Sequence, residues 1–189
     1  MKLNLIKRYS ILMTLLLAVV LIACAYMAVS GYIARRLHPT HYSEFVSDSS
    51  LEFGVPPSVV YAVIKTESSF REGVTSPAGA MGLMQLTPDT FDWLRWKTGE
   101  VMATDALFTP EVNIRYGTML LAILYEEFGS WDTVFAAYNA GLNRVRLWLA
   151  NPDYSDGVSL TDIPYSETKN YVKKVGAAVS EYRRLYGFE

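Results

Sequence analysis

Residues 56–70 read PPSVVYAVIKTESSF, and this stretch decides the fold. Pro56 and Pro57 open it, and proline suits the first turn of a helix because the N–H it lacks would have no partner there. Val60, Val63 and Ile64 then recur at the spacing of one helical face. Continuing that stripe by three leads to Glu67, and Phe70 follows one turn later. A carboxylate on an apolar face is out of place for a solvated residue. Desolvation disfavours its charged form and raises its pKa, which is what a general acid working near neutral pH needs. The same Glu could instead end a helix paired with Lys65 or Arg71, and the pattern alone does not separate the two readings.

Downstream, helix signals dominate. Thr87-Pro88 and Thr109-Pro110 each predict an N-cap followed by proline at the first helical position. The helix after Pro110 runs through Ile114, Leu120, Leu121 and Leu124 and stops near Gly129. Two shorter helices are expected over 131–138 and 143–149, the second closed by Pro152. The last helix carries Tyr171, Val172, Val175, Val179, Tyr182 and Leu185 on one stripe. Strand signals are slight, so the fold class is mostly α.

Upstream, residues 11–34 contain no charged side chain. As a helix, such a run would span roughly 36 Å at ~1.5 Å per residue, enough to cross a bilayer. Lys2, Lys7, Arg8 and the amino terminus slightly outweigh Arg35 and Arg36, which favours a cytoplasmic N-terminus and an exported C-terminal domain. A cleaved signal peptide competes with this reading, as does lipidation at Cys24 after Leu21-Ile22-Ala23. The apolar run continues about ten residues past Cys24, which favours an uncleaved single-pass anchor. The expected organisation is a basic N-terminus at 1–10, an anchor at 11–34, a linker at 35–48 and one domain at 49–189.

Charge and ligating residues exclude other classes. The first 38 residues hold five Lys or Arg and no acid; the remainder holds 12 Lys or Arg against 19 Asp or Glu, net −7. An acidic domain without a basic stripe is a poor partner for nucleic acid. Cys24 is the only cysteine, so no disulfide forms within the chain and no Cys-based metal cluster exists. His38 and His41 read as a solvated linker pair, and no metal or other cofactor is expected.

Three further segments accompany Glu67. Residues 76–86 (SPAGAMGLMQL) pack glycines and small residues between two helices, permitting tight turns and close approach of a ligand. Residues 136–141 (AAYNAG) end a helix with an aromatic–amide pair, which an ordinary C-cap would also explain. Residues 163–168 (IPYSET) open the last helix, where Glu167 could simply complement the helix dipole. Taken in order, Glu67-Ser68, Gly82-Leu83-Met84-Gln85, Ala137-Tyr138-Asn139 and Glu167-Thr168-Lys169-Asn170-Tyr171-Val172 closely resemble the landmarks of the lytic transglycosylase domain related to goose-type lysozyme. The resemblance covers about residues 51–186.

That resemblance implies a lysozyme-like domain that cuts the β-1,4 bond between N-acetylmuramic acid and N-acetylglucosamine in peptidoglycan glycan strands. It implies Glu67 as acid and then base, while the muramic C6 hydroxyl closes a 1,6-anhydro ring. It also implies Ser76 near the catalytic centre, Met84 and Gln85 along the cleft, and Tyr138 and Asn139 against the N-acetyl sugars. Glu167 and Tyr171 would close the far wall, with Tyr171 steadying Glu67. Trp93, Trp96 and Trp148 are candidate sugar platforms, though core packing competes for them. Two alternatives remain at this point: a hydrolase of the same fold, drawing a second acid from Asp89, Asp92 or Asp105, and a non-catalytic peptidoglycan-binding anchor. Protein partners are not legible.

Overall fold

The structure, a computed structural model, describes residues 2–188 and divides after Pro39 into two compact units. The first is a single helix, α1 (Lys2–Leu37). Its stretch from Ser10 to Leu37 has a mean hydropathy of 2.7 and buries none of its apolar side chains within the protein. A helix that is apolar all round and unburied is long and greasy enough to cross a membrane. Arg35 and Arg36 close its last turn, where cations complement the exposed carbonyls.

The second unit begins at Thr40. The linker expected over 35–48 is shorter than the sequence suggested, because α1 continues to Leu37 and α2 (Ser43–Phe53) starts the domain early. Val46, Ser49 and Ser50 are the buried positions of α2, a stripe mostly of small polar residues that an apolar-periodicity reading passes over.

The core is built around α3 (Pro57–Ser68), whose residues Val59 to Ile64 are all buried. The helix is wrapped on every side, more fully than a one-face stripe implies. Packed against it is α8 (Ser166–Tyr186), with Tyr61 stacked on Tyr182 at 5.2 Å between ring centroids. All six stripe residues of α8 are buried. Behind them, α5 (Pro110–Phe128) packs against α2 and α6 (Trp131–Ala140), and α6 packs against α7 (Leu142–Leu149) and α8.

A smaller cluster of Leu86, Phe91, Leu94, Leu107 and Tyr116 joins α4 (Pro88–Thr98) and a 3-10 turn at Thr104–Phe108 to α5. Thr87 caps α4 by accepting a hydrogen bond from the Thr90 N–H at 3.3 Å. Thr109 makes no such side-chain cap for α5, so proline at the first position starts that helix alone. Among the described residues no strand forms, and pairing is limited to isolated bridges such as Met81 with Leu86.

Candidate active site

Glu67 sits in the last turn of α3, where the buried helix reaches the surface. Its carboxyl is partly buried and, among the described residues, meets no cation. Arg71, one of the expected partners, donates instead to the Ser68 carbonyl at 2.9 Å, and Lys65 lies in the field of Glu181. The group that reaches Glu67 is Tyr171 of α8, whose Oη donates to Oε1 at 2.6 Å. Burial pushes the Glu67 pKa up to about 7, against the smaller downward pull of the Tyr171 hydrogen bond. An acid with that value is half protonated at neutral pH, able to give a proton and to take one back.

Tyr138 of α6 completes a trio. Its Oη donates to the Met84 carbonyl at 2.8 Å. Burial, then the charge of Glu67, pushes both Tyr138 and Tyr171 well above the ordinary phenol value, so both remain hydrogen-bond donors. Among the described residues, the groups that act on Glu67 are therefore two neutral phenols and not a second carboxylate.

The floor is the 74–86 loop, which Asn113 of α5 holds in place. The Asn113 side chain accepts from the Met84 N–H at 2.7 Å and donates to the carbonyls of Met81 at 2.9 Å and Leu107 at 2.8 Å. Close approach makes glycine necessary twice. Gly82 has φ +76, and a Cβ there would run into Asn113 and the Leu107 carbonyl; a Cβ at Gly117 would strike the Met84 side chain.

This packing decides where the expected cleft residues lie. Met84 is fully buried, so its side chain belongs to the core beneath the loop and not to an open cleft. Gln85 occupies the left-handed region at φ 51° and donates through Nε2 to the carbonyls of Val74 and Gly82 at 3.1 and 2.8 Å. Both of its N–H groups are thus committed to the loop, which leaves its carbonyl oxygen as an available acceptor. Ser76 closes a turn in the same loop, its Oγ accepting from the Ala80 N–H at 3.0 Å.

Asn139 is exposed, and its Oδ1 accepts from Thr168 Oγ1 at 2.7 Å, which leaves its NH2 to donate outward. Glu167 stands exposed in the first turn of α8, next to Thr168. A cavity of about 590 Å³ lined by Thr90, Trp93, Lys97, Asn143 and Arg146 shares Tyr138 with this site, though Glu67 itself does not line it. Its size is that of an ordinary ligand pocket. Trp93 lines it, Trp96 is 78% exposed, and Trp148 is buried in the core.

Asp92 is drawn to Arg95, and Asp89 and Asp105 are exposed. Sequence reasoning missed Asn113 and Thr168. Asn113 does leave a trace, since it precedes Ile114 and lies four and eight positions before Gly117 and Leu121 on the buried side of α5. An amide on that stripe is the same anomaly as Glu67 on its own.

Comparison with known proteins agrees with this geometry. Residues 44–158 match the family described as the Transglycosylase SLT domain. The chain is 37% identical over 155 residues to the soluble lytic murein transglycosylase of Escherichia coli K12, covering 79% of this chain and 24% of that protein. It is 32% identical over 183 residues to the membrane-bound lytic murein transglycosylase C of Serratia proteamaculans, covering 82% and 50% respectively. The crystal structure of the 70 kDa soluble lytic transglycosylase of Escherichia coli superposes with a TM-score of 0.74 at 33% identity, over 82% of this chain and 26% of that one. An inactive Glu-to-Gln variant of the Pseudomonas aeruginosa enzyme Slt gives 0.71 at 31% identity, over 78% and 24%. This chain thus spans about a quarter of the soluble relatives' length and half of the membrane-bound one's.

Proposed function

This chain belongs to the transglycosylase SLT family, and we propose that it is a membrane-anchored lytic transglycosylase acting on peptidoglycan glycan strands. The observation that carries the reading is the Glu67 carboxyl, held near a pKa of 7 by burial and touched by a tyrosine rather than a cation. Glu67 gives its proton to the glycosidic oxygen, and the C1–O bond breaks. The resulting carboxylate then takes the proton of the muramic C6 hydroxyl as that oxygen bonds to C1 of its own sugar. Atoms balance without water, and the product ends in a 1,6-anhydro ring. Many glycosidases need a second carboxylate as nucleophile or to activate water. An internal nucleophile removes that need, which agrees with phenols occupying the space around Glu67.

Tyr171 orients the acid and, as a donor, favours the carboxylate that forms after the first step. Asn139 offers its NH2, and Gln85 its carbonyl oxygen, to the amides and hydroxyls of N-acetyl sugars. Tyr138 opens onto the cavity that continues the strand's path. The Pseudomonas relative is inactive as a Glu-to-Gln variant, which supports an essential glutamate acid.

For deployment, α1 crosses the membrane once with its N-terminus in the cytoplasm, placing the domain outside. The continuity of α1 past Cys24 to Leu37 supports an uncleaved anchor over a lipidated Cys24. The intact mass of the membrane-extracted protein separates the two, because lipidation removes the preceding residues and adds acyl chains.

Mass spectrometry of purified peptidoglycan digested by residues 40–189 tests the chemistry. Products ending in 1,6-anhydro-muramic acid are expected, and none with Glu67→Gln. Reducing ends formed only with intact Glu67 would replace this reading with a hydrolase. Binding without cleavage by either protein would replace it with an anchor.

A further inference from the structure

One residue past Glu67-Ser68 the backbone leaves the helix through two consecutive left-handed residues, Ser69 at φ 51° and Phe70 at φ 63°. Residues with a Cβ avoid this region, and they stay there only when surrounding contacts hold them. Part of the hold is local. The Ser69 N–H donates to the Lys65 carbonyl at 3.1 Å, and the Arg71 N–H donates to the Ser68 carbonyl at 3.2 Å.

The rest comes from about 30 residues earlier in the chain. The His41 ring meets Phe70 edge-on, 5.7 Å between centroids and 82° between planes. Tyr61 of α3 also meets Phe70, at 6.4 Å between centroids. Tyr42 Oη donates to Glu72 Oε2 at 3.2 Å. His41 and Tyr42 thus grip the turn at two alternate residues. His41 is exposed, as the linker reading expected, but its ring is engaged with Phe70. His41 and Tyr42 precede α2, and they precede residue 44, where the family match begins.

We propose that His41 and Tyr42 are positioning residues that clamp the Ser69–Phe70 turn and thereby keep the Glu67 carboxyl in its desolvated place at the end of α3. Without the clamp, the left-handed pair relaxes, the last turn of α3 frays, and water reaches Glu67. The other groups facing Glu67 are Tyr171 from α8 and Tyr138 from α6, both of which stay protonated through neutral pH. On its own helix Lys65 lies in the field of Glu181, and Arg71 of the turn is committed to Ser68. The segment leading in from the anchor thus helps set the protonation of the acid.

The link from clamp to catalysis rests on the glycan-cleaving reading above, whereas the link from clamp to carboxyl does not. The test therefore reads the carboxyl itself. In the full chain held in lipid nanodiscs, the Glu67 side-chain carboxyl is titrated by 13C NMR, its signal identified by its loss in Glu67→Gln. Wild type is expected to titrate at about 7. His41→Ala, at an exposed position that leaves the core intact, should titrate about one unit lower as water enters. Tyr42→Phe should shift the same way by less. His41→Phe restores a ring edge and should bring the midpoint back.

The alkaline limb of kcat/KM should move with the titration, since that limb reports the free enzyme's acid. One unit lower at pH 7 costs roughly fivefold in the protonated fraction. A loss of amplitude without movement of the limb would mark a merely structural role. An unchanged Glu67 midpoint in folded His41→Ala and Tyr42→Phe overturns the clamp. A shifted midpoint in a protein that cleaves nothing would keep the clamp and overturn the enzymatic reading.

Discussion

Two tyrosine–glutamate hydrogen bonds of equal length belong to carboxyls whose pKa values move in opposite directions. Tyr171 donates to Glu67 at 2.6 Å, and Tyr116 donates to Glu100 at 2.6 Å. Glu67 is pushed up to about 7, while Glu100 is held below the usual carboxylate value by Tyr116 and then Arg115. In both, the phenol pulls the pKa down; what differs is everything else. Around Glu67, desolvation wins because no cation among the described residues answers it. Around Glu100, Arg115 reaches Glu100 at 2.9 Å and Glu52 at 2.7 Å, and the group remains partly in water. A short hydrogen bond to a carboxylate therefore says little about its chemistry until burial and neighbouring charge are known. One arrangement makes an acid, and the other ties α2 and the loop after α4 to α5.

The largest expected contrast is in activity. Glu67→Gln keeps the shape of the side chain but has no proton to give, so peptidoglycan cleavage by residues 40–189 should fall at least about 1,000-fold. Glu100→Gln should leave the rate unchanged. Equal loss in both variants would erase the distinction between acid and clasp.

Stability should respond with opposite sign. The folded pKa of Glu67 lies above its ordinary 4.5, so its contribution to stability is full below about 4.5 and is lost as pH rises through about 7. At pH 8 wild type carries a poorly solvated charge that the neutral amide of the variant lacks. Glu67→Gln should thus be more stable by about 2–3 kcal/mol at pH 8 and nearly equal at pH 4.5. Urea denaturation at the two pH values measures this.

Tyr171→Phe sharpens the comparison from the other direction. Removing the donor leaves burial unopposed, so the Glu67 pKa should climb and the alkaline limb of the rate should move to higher pH. Poorer placement of the acid should lower kcat by about tenfold, the effect of one hydrogen bond. A limb that moves down would mean that Tyr171 keeps water out more than it favours the carboxylate.

The smallest effect belongs to Glu100. Its folded pKa is depressed, so its contribution is present above its unfolded value and is lost as pH falls. Because the pair is part-exposed, Glu100→Gln should cost only about 0.5–1 kcal/mol at pH 7, and less in high salt. Denaturation with and without added salt checks it.

The two regions were not equally legible in the sequence. Glu67 could be found because it continues the Val60, Val63, Ile64 spacing, and periodicity is a local signal. The α8 stripe and the proline-opened helices were visible for the same reason. The Arg115 clasp was not, because Glu52, Glu100 and Arg115 lie far apart along the chain and each looks like a solvated charge. Asn113 holds the loop floor through contacts 6 to 32 residues away in sequence. The left-handed pair at Ser69 and Phe70 has no glycine to announce it. Met84 shows the limit of motif position, since a residue within a cleft segment can face the core beneath it.

The most direct measurement is a 13C NMR titration of the glutamate side-chain carboxyls in residues 40–189, with Glu67→Gln and Glu100→Gln assigning the two signals. The account predicts midpoints on either side of 4.5, Glu67 at about 7 and Glu100 below the usual value. A Glu67 that titrates near 4.5 would contradict it, because an acid already ionised at neutral pH has no proton to lend to the bond it is proposed to break.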